Sequence, residues 1–162
     1  MCRSNGWRHY RLSVALPRRQ RRAARVIVVD DEGCVLLLRG GDPRRPDAGT
    51  WWFTPGGGVE DGESAQAAAC RELAEETGLD CADVGPVVLE RATEFEFDGA
   101  VYEQMEDYFL VRTPHFSIDT SRWTVIEVAT VVEHRWWTRE ELERTEEPVY
   151  PEELLSLLDL HQ

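Results

Sequence analysis

Three glutamates carry the chemistry this chain can do. Glu72, Glu75 and Glu76 stand at i, i+3 and i+4 inside GGVEDGESAQAAACRELAEETGL, residues 57–79. On a helix those positions share one face, with Cβ atoms about 5–6 Å apart. Like charges so placed destabilise a bare helix by about 0.2–0.5 kcal/mol per pair, so something must offset them. A hard divalent cation does so, since Mg2+ takes oxygen ligands and bridges carboxylates to substrate phosphates. A solvated acidic face is the plainer explanation of glutamates in an acidic protein. The context argues against it: Pro55-Gly56-Gly57-Gly58 leads into the helix, and glycines let backbone turn tightly and approach a ligand closely.

The elements that must position these residues follow from local chemistry. Ser64 is a good N-cap, four alanines (65, 67, 68 and 69) favour helix, and Gly78 stands where a left-handed C-cap belongs. The spacing predicts a helix of about 13 residues with Leu73 facing the core. Upstream, RVIVVD (25–30) and CVLLLRG (34–40) read as a hairpin across an Asp-Asp-Glu-Gly turn, and Trp51-Trp52-Phe53 as a short strand. Downstream, a strand opens at 86–89. The alternating EFEF (94–97), the Asp98-Gly99 turn and a return strand over 100–112 form a second hairpin. Glu103 and Glu106 on that strand are expected mostly to face water. VVEHRWW (131–137) is the last strand, Thr138-x-x-Glu141 is a capping box, and PEELLSLLDL closes the chain as a helix. Loops 41–50 and 113–124 remain, and loops of this length in a compact domain are often functional. Arg44 and Arg45 in the first are candidates to clamp an anion, or are solvated loop arginines.

Gly57, Glu63, Arg71-Glu72-Leu73, Glu75-Glu76 and Gly78-Leu79 fall at the spacing that defines the Nudix (MutT-like) hydrolases, and the chain resembles that family over these 23 residues. The resemblance implies an α/β (α+β) fold, an α/β/α sandwich with a mixed sheet between helices. It implies a Mg2+-dependent pyrophosphohydrolase, with Mn2+ as a substitute, that cleaves a nucleoside diphosphate linked to another moiety by water attack at phosphorus. Glu72, Glu75 and Glu76 become the metal ligands, joined by a backbone carbonyl from Gly56 or Gly57, of which Gly57 is preferred. Arg71 is expected to orient a signature glutamate. Glu63 is expected to support the loop–helix junction or the outer metal sphere. Glu127, with Glu133 behind it, is the candidate for a further acidic residue that binds metal or serves as base. The general base changes between members of this family. Arg39 is a candidate to reach a substrate phosphate, or else it neutralises an acidic neighbourhood. Among the three aromatics, Trp52 is a candidate to stack on a nucleobase, with burial as the alternative.

Several family branches lack support. The proline of ADP-ribose-cleaving members, about 15 residues after the signature, is replaced by Glu94-Phe95-Glu96, and the tyrosine of dinucleoside-polyphosphate members is missing. Nucleoside triphosphates, nucleotide sugars and similar small pyrophosphates are left. A non-catalytic nucleotide-metabolite sensor is the rival, but such domains lose signature glutamates. An isomerase on the same fold would need a cysteine and glutamate constellation that Cys70 and Cys81 do not offer.

Composition sets the remaining limits. Length fits one domain, and no apolar run approaches a membrane span. Residues 1–25 hold eight arginines and no acid, leaving ten arginines against 31 acids, a charge of −21, in the rest. A body so acidic excludes general binding of a nucleic-acid polymer. Residues 1–24 are read as a poorly structured basic arm, with a targeting segment or an upstream extension as alternatives, and residues 25–162 as the catalytic domain. All the cations are arginines. The four cysteines form no CxxC pair and read as reduced thiols of a cytoplasmic protein. The expected partner is a small nucleoside diphosphate derivative, with no membrane and with a homodimer allowed.

Overall fold

A computed structural model describes residues 15–161, so the expectation for residues 1–14 lies outside them. Among the described residues, one mixed sheet of eight strands runs in the order β5-β6-β1-β2-β3-β8, with β4 on β1 and β7 on β2. The strands are β1 (Arg18–Val29), β2 (Val35–Gly40), β3 (Trp51–Phe53), β4 (Gly56–Gly58), β5 (Val87–Phe97), β6 (Ala100–Arg112), β7 (Val131–Trp137) and β8 (Val149–Tyr150). The helices are α1 (Ala65–Thr77), α2 (Val125–Thr130), α3 (Arg139–Arg144) and α4 (Leu154–Leu160). No helix among the described residues is long and apolar enough to cross a membrane.

The apolar runs of β1 and β2 are unbroken because both faces of the sheet are covered. Ala24, Val26, Val28 and Leu36 meet Ala65, Ala68, Ala69 and Leu73 of α1, together with Phe109. Ile27, Val29, Val35 and Leu37 meet Trp52, Trp137, Leu142 of α3 and Leu154, Leu157 and Leu158 of α4. This is the expected α/β/α sandwich. Cys70 and Cys81 pack against the α1 core, and Cys34, Cys70 and Cys81 are free thiols. Burial pushes the Cys34 and Cys70 thiols up, away from the reactive thiolate.

Two sequence expectations change, and residues 125–130, to which the sequence reading gave no element, gain one. The first strand begins at Arg18, not Arg25. Its polar half pairs in parallel with β6 along its whole length, and in antiparallel fashion with β4 at Ala23, Ala24 and Arg25. Acids on the neighbouring strands neutralise its arginines: Arg18 bonds Glu94 and Glu103, and Arg22 bonds Asp107 at 2.6 Å. Glu106, expected to face water, is 5% exposed. Residues 125–130 form α2, because Thr124 and Glu127 make a reciprocal capping box.

Candidate active site

α1 is built as its sequence predicts. The Ser64 hydroxyl accepts the Ala67 N–H at 3.1 Å, and Gly78 ends the helix at φ 78° with its N–H on the Ala74 carbonyl. At about 100° per residue, Glu76 stands about 40° from Glu72 in one sense and Glu75 about 60° in the other. The fold uses this difference. Glu76 turns inward and is 5% exposed, and its Oε2 accepts the Gly56 N–H at 2.6 Å. Glu75 turns outward with its side chain 42% exposed and meets Arg71 at 3.3 Å.

Carboxylate oxygens of Glu72, Glu76 and Glu127 lie within 4.8 Å of one another. Glu127, named in the sequence as a further acidic residue, thus lies with Glu72 and Glu76, while Glu75 meets Arg71 on the outer side of α1. Glu133, its alternative, bonds Arg39 instead, at 3.3 Å. Loop 113–124 delivers Glu127, fastened to the end of α1. The Asp119 N–H donates to the Thr77 carbonyl at 3.0 Å, and Trp123 Nε1 donates to the Glu76 carbonyl at 2.7 Å. The loop ends at Thr124, the cap that starts α2. The sequence did carry that signal, since Thr124-x-x-Glu127 repeats the pattern read at Thr138.

Burial pushes the Glu76 carboxyl up to about 8, against the Gly56 N–H and the charge of Arg25. Burial also raises Glu72, against Arg71. Arg71 lies at the centre of the loop–helix junction. It grips Glu63 through Nε and Nη2, both at 3.0 Å, reaches Glu72 at 2.7 Å, and donates to the Gly58 carbonyl at 2.9 Å. Glu63 also accepts the Glu60 N–H. Glu63 thus braces the junction, and Arg71 aims Glu72. A Cβ on Gly57 would stand 2.5 Å from the Glu72 carboxyl, so that glycine is the cradle in which the carboxylate rests.

Of the two loop carbonyls named in the sequence, Gly56 and Gly57, the β1–β4 ladder occupies that of Gly57. Val26 N–H bonds Pro55 O and Val59 N–H bonds Arg22 O, so antiparallel alternation turns Gly57 toward Ala24 and leaves Gly56 and Gly58 facing outward. The Gly56 carbonyl accepts Arg25 Nη1 at 2.7 Å, a contact the sequence reading missed. The donor set of three carboxylates suits a hard divalent cation.

The remaining candidates stand elsewhere. Trp52 is 2% exposed, edge-on to Trp137 at 5.0 Å between centroids, with its indole N–H on Glu147. It is a core ring and presents no face to a nucleobase. Arg39 bonds Thr50, Glu133 and Glu147, and so neutralises acids. Arg45 bonds Asp42 and the Glu96 carbonyl, and Arg44 bonds Asp98. These two arginines staple loop 41–50 to the β5–β6 hairpin instead of clamping an anion.

The model of the NUDIX domain family matches residues 19–158. The chain belongs to the NUDIX family. No curated protein matches it. Among solved structures, it resembles the MutT protein of Methanosarcina mazei Go1 with a TM-score of 0.61 and 22% identity, covering 91% of this chain and 95% of that one. It resembles the NUDIX domain of Shewanella oneidensis NrtR complexed with ADP ribose with a TM-score of 0.64 and 15% identity, covering 88% of each chain. A C. elegans Ap4A hydrolase complex matches with a TM-score of 0.54 and 20% identity, covering 86% of this chain and 93% of that one. At these identities the likenesses speak for the fold.

Proposed function

We propose that the protein is a Mg2+-dependent pyrophosphohydrolase that cleaves a nucleoside diphosphate linked to another moiety, a nucleoside triphosphate or a nucleotide sugar being the first candidates. One observation carries this reading: Glu127, from a different helix far along the chain, brings a carboxylate oxygen within 4.8 Å of those of Glu72 and Glu76. Unneutralised, such a cluster is unfavourable, and burial has already raised two of its members. Bound divalent cations neutralise the pyrophosphate and lower the pKa of a coordinated water. Glu72, Glu76 and Glu127, with Glu75 beside them on α1, are the carboxylates that would hold them. Arg71 fixes the aim of Glu72, and a carboxylate of the cluster accepts the proton of the attacking water. Structures of an Ap4A hydrolase, of a UDP-X diphosphatase and of an ADP-ribose complex on this fold support a nucleoside diphosphate derivative as substrate.

The test is release of phosphate or nucleoside monophosphate from nucleoside triphosphates, nucleotide sugars, ADP-ribose and dinucleoside polyphosphates, with and without Mg2+. The expected result is metal-dependent turnover of one class, reduced by about a hundredfold or more in Glu76→Gln. Absence of turnover, while a nucleotide still raises the melting temperature, would make the protein a sensor instead.

A further inference from the structure

A buried ionic network outside the carboxylate cluster has no part in the hydrolysis as derived above. Glu106 lies at its centre. It accepts from Gln104 Nε2 at 2.7 Å, Tyr108 Oη at 2.9 Å and Arg25 Nε at 3.4 Å, and forms an ion pair with Arg91, whose Nε is 3.2 Å away. The Arg25 side chain is 16% exposed and that of Glu106 6%. An ion pair taken out of water gains less than a well-packed apolar pair would, so its presence calls for a reason other than stability.

That reason stands at the far end of Arg25. Gly56 faces Arg25 across the β1–β4 ladder, at a position where the alternation gives it no ladder hydrogen bond to β1. Its N–H and carbonyl would be orphaned, and buried backbone groups are almost always paired. Glu76 takes the N–H at 2.6 Å and Arg25 takes the carbonyl at 2.7 Å. Gly56 also has φ 135°, and a Cβ there would lie 2.1 Å from the Ala24 carbonyl, so only glycine fits. Glycine has the least conformational preference of its own, and its geometry must be imposed from outside.

We propose that Arg25, anchored by Glu106, is a positioning residue for the carboxylate cluster: by holding the Gly56 carbonyl it fixes the Gly56 peptides, so that the Gly56 N–H keeps Glu76 in place. The charge of Arg25 acts in the same direction, favouring ionised Glu72 and Glu76. The proposal rests on the reading of the cluster as a divalent-cation site.

Mn2+ binding to the full chain, measured by calorimetry without substrate, tests it. Native protein, Arg25→Gln, Glu106→Gln and the double variant are compared after circular dichroism confirms that each is folded. Each single variant is expected to bind Mn2+ about tenfold or more weakly, as loss of a group that orients a ligand does. The double variant is expected to be no worse than Arg25→Gln alone, because the pair acts as a unit. Arg25→Lys keeps the charge but cannot span Glu106 and Gly56 together, and guards against a Gln variant that fails to fold. Its Mn2+ affinity is expected about threefold or more below native. Native-like affinity in any folded single variant overturns the proposal. Absence of Mn2+ binding by the native protein overturns both it and the reading beneath it.

Discussion

Glu76→Gln should make the metal-free protein more resistant to alkali while it abolishes turnover. The Glu76 carboxyl rises from an ordinary 4.5 to about 8 on folding, with burial as the leading cause. Between those values the folded chain holds a proton that the unfolded chain has lost, so stability falls as pH rises through the window and levels off above it. From pH 6 to pH 9 the native protein crosses about two units of that window, at about 1.4 kcal/mol per unit. It should lose about 3 kcal/mol relative to Glu76→Gln, whose amide oxygen still accepts the Gly56 N–H and does not titrate. The assay is urea unfolding of both proteins in a chelating buffer at pH 6 and pH 9. Comparing the change with pH, and not absolute stabilities, cancels the steric cost of glutamine. Saturating Mn2+ should reverse the order, because only the native cluster gains binding energy. A stability difference that is the same at both pH values would refute the argument, since Glu76 would then ionise in the fold as readily as in the unfolded chain.

Gly57→Ala should push the Glu72 carboxylate from its cradle, where the new Cβ would lie 2.5 Å from it; kcat should fall about tenfold or more with a change in melting temperature of a few degrees, read by steady-state kinetics beside a thermal melt. Arg71→Lys should cost about 2–3 kcal/mol in urea unfolding, because a single ammonium cannot replace the fork on Glu63 together with the contacts to Glu72 and Gly58. Asp30 is buried yet holds its proton weakly: burial raises its carboxyl, but His115 and the N–H groups of Cys34 and Glu32 bring it below the usual range. It contributes stability above the ordinary carboxylate pKa that is lost as pH falls through its lowered value, so Asp30→Asn should cost about 1–3 kcal/mol at pH 7 and flatten the acid limb of the unfolding profile.

What the sequence makes legible is what neighbours along the chain decide. The extent of α1 depends on Ser64, the alanines and Gly78, all within the segment, and the structure agrees with the reading to the residue. Which of the α1 glutamates is buried depends on which side of the helix the glycine loop lies, and the chain alone does not show this. The polar half of β1 has no apolar alternation to announce a strand; its partners on β6 are distant, and acid side chains there replace the hydrophobic face as its reason to pair. Trp52 has the composition of a stacking platform. Its burial follows from Trp137, a residue on a strand that does not pair with its own. Glu127 was found through the resemblance, and the cap that presents it was readable but went unread.

The parallel pairing of β1 with β6 fixes an order of assembly. Each rung joins residues about 80 positions apart, Arg19 to Tyr102 spanning 83. Closing a loop of that size costs about 4 kcal/mol of chain entropy, before any rung rewards it. The signature segment, complete by residue 79, leaves the ribosome before β6, the parallel partner of β1, and Glu127 follows later still. A nascent chain halted between α1 and β6 carries most of the residues that would hold metal and can form the α1 helix. It lacks the wall that gives Gly56 its shape, so competence arrives late and all at once.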